Sequence, residues 1–321
     1  MKVNLVSFLD PTVYDGGGEM ISRQLIETGL NRGHEIYISS VRPSKINFNK
    51  DAQLTILIDV FNHGHTFKSF GAWRGFSGDF INQVIKNIPF VHITNAYADV
   101  CNLPYLPCTG FHDGEDCIDK KNLGLLKKFL IRDINHQCFS QKELVSTLNT
   151  TSILNVFLSP LHQEISERLI NSNKLPESYI LSPTIDTSRF YNMHKDRDID
   201  YLFVGIVSEA KGFFEMRNRF ANSNIHIIGK CAPGINIDFG NYLGPVPYDQ
   251  VPIYMNRAKN FVFLPRWPEP QGRVVAEAAL CGCNIIGNEN VGALSFGADL
   301  TDPSYYKGVE DAFWKKVESL I

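Results

Sequence analysis

The stretch Phe261-Val262-Phe263-Leu264-Pro265-Arg266-Trp267-Pro268-Glu269-Pro270-Gln271-Gly272-Arg273-Val274-Val275-Ala276-Glu277-Ala278-Ala279-Leu280-Cys281-Gly282 decides how the chain folds. Its first four residues are apolar and stop at Pro265, the mark of a buried strand. Arg273 to Cys281 reads as a helix ended by Gly282, and Asn284 to Gly287 as the next strand. Strand, loop, helix and strand in that order form the parallel unit of an α/β protein. Glu269 falls in the loop and Glu277 eight positions later in the helix. Apolar residues flank Glu277, where a bare carboxylate is expensive. The backbone N–H groups near Gly272 and Arg273, at the helix start, offer an anion site. A phosphate-linked sugar suits this arrangement, with phosphate on the helix end and hydroxyls on the two glutamates. The plainer alternative is a solvated Glu269 and a helix-surface Glu277.

Working outward, a second series of strands runs through Tyr201–Gly205, Ile225–Gly229, Asn260–Leu264 and Asn284–Gly287. An earlier series starts with Val3–Leu9, which Asp10-Pro11 ends. The glycine run Gly16-Gly17-Gly18 leads into a helix over Glu19–Asn31, with Ile21, Leu25 and Leu30 near helical spacing. Gly33 stops it, and Glu35–Ser40, Phe90–Thr94, Leu106–Phe111 and Ile153–Leu158 read as further strands. Pro183-Thr184-Ile185-Asp186 breaks the rhythm, and His194-Lys195-Asp196-Arg197-Asp198 reads as a charged linker. Ser304–Ile321 reads as an amphipathic helix carrying Phe313, Trp314 and Val317. Two doubly wound domains facing a cleft are expected, with ligands at the carboxyl ends of the strands.

The 321 residues suit two domains, and 44% hydrophobic with 20% charged residues excludes a disordered chain. A net charge of −3 argues against a general nucleic-acid binder. No run approaches the ~18 apolar residues of a spanning helix, and the amino-terminal apolar run is too short for a signal peptide. Seven irregularly spaced cysteines point to a reducing, cytoplasmic compartment. Cys281-Gly282-Cys283 lacks a second ligand pair, so plain buried thiols are expected and no metal. His63 and His65 in a polar glycine loop give metal no better support. A basic stripe of Lys121, Lys128 and Arg132 beside an apolar one of Leu123, Leu126, Leu130 and Ile134 could seat a helix near 120–134 on an anionic membrane. A surface helix docked on its own sheet is the preferred reading.

Glu269-Pro270-Gln271-Gly272 through Glu277-Ala278 resembles the E-P-F-G-x-x-x-x-E-A signature of retaining glycosyltransferases of the GT-B fold, family 4. Cys281–Gly287 is similar to that family's following strand, and Asn290-Val291-Gly292 takes the place of its glycine loop. Leu243-Gly244-Pro245-Val246-Pro247-Tyr248 with Val251-Pro252 and Tyr254-Met255 resembles its G-x-V-P-x-x-x-L-P-x-Y-Y segment. Val204–Gly212 resembles V-G-R-x-x-x-x-K-G, with Lys211 matching and Ile206 in the arginine position. Asp15-Gly16-Gly17-Gly18-Glu19 resembles the G-G-x-E loop, and Leu106–Asp113 the strand ending in H-D. Pro183–Phe190 is similar to the linker P-N-G-V-D-x-x-x-F, with Thr184 replacing the glycine and a stiffer linker expected.

The resemblance implies a role for each matching residue. Glu269 contacts the donor sugar near the reacting carbon, and Glu277 grips the ribose. Lys211 neutralises the diphosphate, the amides of Gly272 and Arg273 hold sugar or phosphate oxygens, and Gly16, Gly17 and Gly18 approach a phosphate. His112 borders the reaction centre as the second catalytic candidate after Glu269. Arg273 and Arg266 are the cations that could replace the arginine missing at Ile206. It also implies a first Rossmann-like domain over 1–190, completed by helix 304–321, and a nucleotide-sugar domain over 191–303. A nicotinamide site is disfavoured, since Ile21 stands where a third glycine is needed and no acid ends the second strand. The expected activity is metal-independent transfer of a sugar from a UDP- or GDP-linked donor to a glycan or lipid-linked hydroxyl, as in polysaccharide biosynthesis. No cofactor beyond the donor is expected. A nucleotide-sugar epimerase or hydrolase, or a binding module that has lost catalysis, are the alternatives, and Ile206 sustains the last.

Overall fold

The computed structural model describes residues 1–14, 16–60, 84–97, 147–170 and 175–321. Its strands are β1 Lys2–Leu9, β2 Glu35–Arg42, β3 Leu54–Ile58, β4 Phe90–Ile93, β5 Leu154–Phe157, β6 Ser178–Ile180, β7 Ile199–Val204, β8 Ile225–Ile228, β9 Asn241–Gly244, β10 Ala258–Val262 and β11 Asn284–Ile286. The principal helices are α1 Gly17–Asn31, α2 Pro160–Ile170, α3 Phe213–Phe220, α4 Val251–Arg257, α5 Arg273–Leu280 and α6 Val309–Glu318. Two compact units result: Met1–Leu158 with Gln163–Leu181 and Glu310–Ile321, and Ser159–His162 with Ser182–Val309. Among the described residues no helix is long and apolar enough to cross a membrane.

The first unit is built on a six-stranded parallel sheet in the order β2-β1-β3-β4-β5-β6. Strands β3, β4 and β5 are buried along their whole length, which is why they read as continuous apolar runs rather than alternating ones. Helix α1 buries Ile21, Leu25 and Ile26. Helix α6 returns to this unit from the far end of the chain. Its Trp314 donates from Nε1 to the Leu25 carbonyl at 2.8 Å. Gly29 makes room for that indole, since a Cβ there would lie 2.5 Å from it. The helix expected over Ser304–Ile321 is in two pieces, a 3₁₀ turn at Pro303–Tyr306 and then α6. Gly308 between them has φ of 76°, a left-handed conformation that no helix continues through.

The second unit holds a five-stranded parallel sheet in the order β11-β10-β7-β8-β9. Phe203 of β7, Phe261 of β10 and Phe263 just beyond it are buried, with the Phe263 ring centre 6.3 Å from that of Phe203 and 6.5 Å from that of Phe261. Truncating any one to alanine removes about 3–5 kcal/mol in such a core. Residues 182–190 belong here rather than with the first domain, because Ile185 and Phe190 are part of this core. Arg197 explains the Asp196-Arg197-Asp198 triplet. It donates to the carbonyls of Met255 at 3.3 Å, Cys281 at 2.8 Å and also Ala258. Asp198 pairs with Arg257, whose hydrogen bond holds the carboxyl down at about 2. Arg197 and Asp198 thus fasten the start of β7 to the end of α4, to β10 and to the residue after α5. Cys281 and Cys283 are buried thiols, pushed up by burial to about 12 and about 11.

Sequence order places the reversal points. From β7 the chain moves outward through β8 and β9, then returns to the other side of β7 for β10 and β11. The loops after β7 and β10 therefore leave the sheet in opposite directions and open a crevice at the strand ends. In the first sheet the same reversal separates β1 from β3.

Candidate functional site

The reversal point of the second sheet gathers the sequence candidates. After β7 the loop turns at Gly212, whose φ of 85° caps α3. A Cβ at Gly212 would lie 1.9 Å from the Leu264 carbonyl oxygen, so only glycine lets this loop lie against the end of β10. The Arg266 amide donates to the Ala210 carbonyl at 2.9 Å and ties the two loops together. Lys211 is thereby brought to Glu269, and the two form an ion pair. Their side chains are only 20% and 13% exposed, so the pair is largely sheltered from solvent screening. The ammonium also lies 5.2 Å from the Trp267 ring centre and 5.6 Å from that of Phe263, a cation–π arrangement.

Glu269 is fixed by its backbone. Its amide donates to Asn290 at 2.7 Å and its carbonyl accepts from Gly292 at 3.0 Å, a short parallel bridge to Val291. Gly292 is needed there, since a Cβ would lie 2.3 Å from the Pro270 carbonyl oxygen. Ser159 donates to that same carbonyl at 2.5 Å. Gly272 then adopts φ of 73° and caps α5, its carbonyl accepting from the Val275 amide at 2.8 Å, and the helix's positive dipole end lies here.

One turn on, Glu277 is 4% exposed. Its Oε1 accepts from the Tyr248 hydroxyl at 2.7 Å and from Arg273 Nη2 at 3.4 Å. Arg273, itself buried, donates from Nη1 to Thr184 Oγ1 at 3.2 Å. Glu277 is therefore no helix-surface residue. Tyr248, Thr184 and Trp267 complete the site and were not singled out from sequence as site residues. Tyr248 lies 29 residues from Glu277 and Thr184 lies 89 from Arg273, so no local pattern marks them.

The other candidates divide. Ile206 is 55% exposed, and neither proposed substitute cation is uncommitted. Arg273 is engaged with Glu277, and Arg266 pairs with Glu209 at 2.7 Å and Glu215 at 3.4 Å. Gly16, Gly17 and Gly18 open α1 in the first unit, with Gly16 as its cap. The Glu19 carboxylate folds back over Gly16, where a Cβ would meet Oε2 at 2.0 Å, so a side chain's own negative charge lies at this helix end. Gly18 is equally confined, a Cβ there lying 2.7 Å from Asn95 Nδ2. His112, the strand Leu106–Phe111, the segment 120–134, His63 and His65 lie outside the described residues. Among the described residues no group of three or more His, Cys, Asp or Glu is arranged to hold a metal ion.

No family model matches the chain, and no curated protein matches its sequence. Solved structures do. Sucrose-phosphate synthase from Thermosynechococcus elongatus superposes with a TM-score of 0.61 at 13% identity, over 99% of this chain and 94% of that one. Anabaena HepE in complex with UDP and glucose gives 0.55 at 12% identity, over 100% and 92%. An alpha-glucosyltransferase in complex with UDP and a 13-mer DNA gives 0.53 at 10%, over 98% and 90%. The chain has the GT-B fold. Identity this low carries the architecture of these glycosyltransferases and not the details of their chemistry. On the GT-B fold of this chain, Lys211, Glu269, Gly272, Arg273 and Glu277 all lie in the second unit, on the two loops that flank its reversal point and the helix that follows.

Proposed function

We propose that the chain is a glycosyltransferase that moves a sugar from a UDP-linked donor to a hydroxyl of a glycan or lipid-linked acceptor, with retained anomeric configuration and without a metal. One observation carries the reading. An ammonium, a loop carboxylate, a helix amino end and a buried carboxylate on that helix are assembled at the reversal point of one sheet. The nucleotide diphosphate found in HepE and in the alpha-glucosyltransferase supports UDP as the leaving group.

Each group has a part in that chemistry. The diphosphate oxygens draw Lys211 and sit before the first-turn amides of α5, which stabilise the charge that grows as the glycosidic bond breaks. Taking the ammonium frees Glu269 to accept from the sugar's hydroxyls and orient the reacting carbon. Glu277 accepts from the ribose. As the bond from sugar to diphosphate breaks, the acceptor oxygen bonds to the reacting carbon and the leaving phosphate takes its proton, so no separate enzymic base is required.

The exposed Ile206, with Arg266 and Arg273 already paired, favours a second reading, a module that binds the nucleotide sugar without turning it over. Incubation with UDP-sugars and candidate acceptors distinguishes them. Acceptor-dependent release of UDP with a new glycosidic bond is expected. Saturable binding without product supports the module, an isomerised sugar supports an epimerase, and acceptor-independent release supports a hydrolase.

A further inference from the structure

Pro270 follows Glu269 and has no N–H, so its carbonyl is the one backbone group by which it can be hydrogen-bonded. That carbonyl belongs to a buried residue and accepts from the Ser159 hydroxyl at 2.5 Å, across 111 positions of sequence. Ser159 is itself fully buried. It stands between β5 and α2 and belongs to the second unit. A Cβ on Gly292 would lie 2.6 Å from its Oγ, so the loop after β11 closes directly over the hydroxyl.

The neighbours of Ser159 fix the direction of its one proton. As the cap of α2, its Oγ accepts from the His162 amide at 3.0 Å, which leaves the O–H for Pro270. The Leu161 amide donates to Ser295 Oγ at 3.1 Å, and Ser295 donates to the Gly292 carbonyl at 2.7 Å. The start of α2 is therefore fastened to the same loop that holds Glu269. Asn290 and Gly292 hold the Glu269 peptide groups from backbone to backbone. The bond to Pro270 differs, because a single side chain supplies it.

We propose that Ser159 is a positioning residue: by holding the Pro270 carbonyl it sets the direction in which the Glu269 carboxylate leaves its loop. This rests on the transferase reading above, in which Glu269 orients the reacting carbon. Without the hydroxyl a buried carbonyl is left unpaired, and the Pro270–Gln271 peptide turns toward another donor and carries Glu269 with it. A displacement of about 1 Å costs on the order of 10²-fold in rate, so a shift of a few tenths is expected to cost about tenfold.

The test compares the full chain with Ser159→Gly and Ser159→Ala, each alone and combined with Glu269→Ala. Steady-state kinetics with UDP-sugar and acceptor are read together with melting temperature. Both substitutions remove the donor, but glycine caps a helix almost as well as serine and alanine does not. Both should lower kcat about tenfold and leave the donor KM within about twofold. In the Glu269→Ala background the further loss should stay under about twofold, because the hydroxyl acts through Glu269. A capping role alone would lower activity and melting temperature in Ser159→Ala only, and that result overturns the proposal. So does a tenfold loss that persists without Glu269. If the unmodified chain transfers no sugar, the transferase reading fails and this role falls with it. If it does and Ser159→Gly matches its kcat, that reading stands and only the positioning role is lost.

Discussion

Under the proposed function two groups compete for the charge of Lys211. In the structure Glu269 holds the ammonium against the faces of Trp267 and Phe263. The proposed donor's diphosphate brings more negative charge than one carboxylate, so on this reading its binding exchanges one ion pair for another rather than burying a lone charge. Lys211→Ala is expected to lower kcat about 10²-fold or more, because the cation matters most as the leaving group gathers charge. Full activity in that variant would place the stabilising cation elsewhere. The two glutamates should separate kinetically: Glu277→Ala raises the donor KM, while Glu269→Ala chiefly lowers kcat, and steady-state kinetics with varied donor reads both. Sequence made these residues visible because each lies in a short motif. Thr184 and Tyr248 were invisible as partners because their contacts close only when distant segments fold together.

At the scale of elements, the site depends on loops pressed onto strand ends. Gly212 beside Leu264 and Gly229 beside Gly205 approach so closely that added Cβ atoms would fall 1.9 and 1.7 Å from carbonyl oxygens. Gly212→Ala should therefore push the Lys211 loop away from Glu269 as well as strain a left-handed φ, a cost of about 1–3 kcal/mol before the clash is counted. A lower melting temperature together with weaker UDP binding is the expected pair of results; an unchanged UDP affinity would detach the loop from the site. The strands β1, β5, β7 and β10 were readable from apolar runs ended by turn residues. Strand β3, Leu54–Ile58, was passed over although fully buried, because four apolar residues and Thr55 next to a polar loop carry no periodicity. Strand β9, Asn241–Gly244, is mostly exposed, so no burial pattern marked it, and its pairing to β8 makes it a strand.

For the whole molecule, the first unit is closed by the chain's last helix. Arg32 pairs with Glu318 and Asp311, and His34 lies 2.9 Å from Glu318 and 4.7 Å from the Trp314 ring. Burial, followed by the nearby amino terminus, outweighs Glu318 and holds the His34 imidazole below its ordinary 6.5. The folded chain thus resists a proton that the unfolded chain accepts, so stability falls as pH drops below about 6.5 and levels off under the folded value. His34→Gln should lose less melting temperature than the unmodified chain between neutral and mildly acid pH; parallel curves would refute the linkage. His226, also lowered by burial, titrates in both and cancels from the difference. The amphipathic pattern of Phe313, Trp314 and Val317 announced a helix, but not the unit on which it docks. That docking has a consequence for biosynthesis. Residues 310–321 complete the unit that holds residues 1–158, and the residues of the second unit are made between them, so the second unit can finish before the first. Nascent chains lacking this helix would leave the pocket around Leu25 and Gly29 open, a surface on which chaperones can act until residues 310–321 are made.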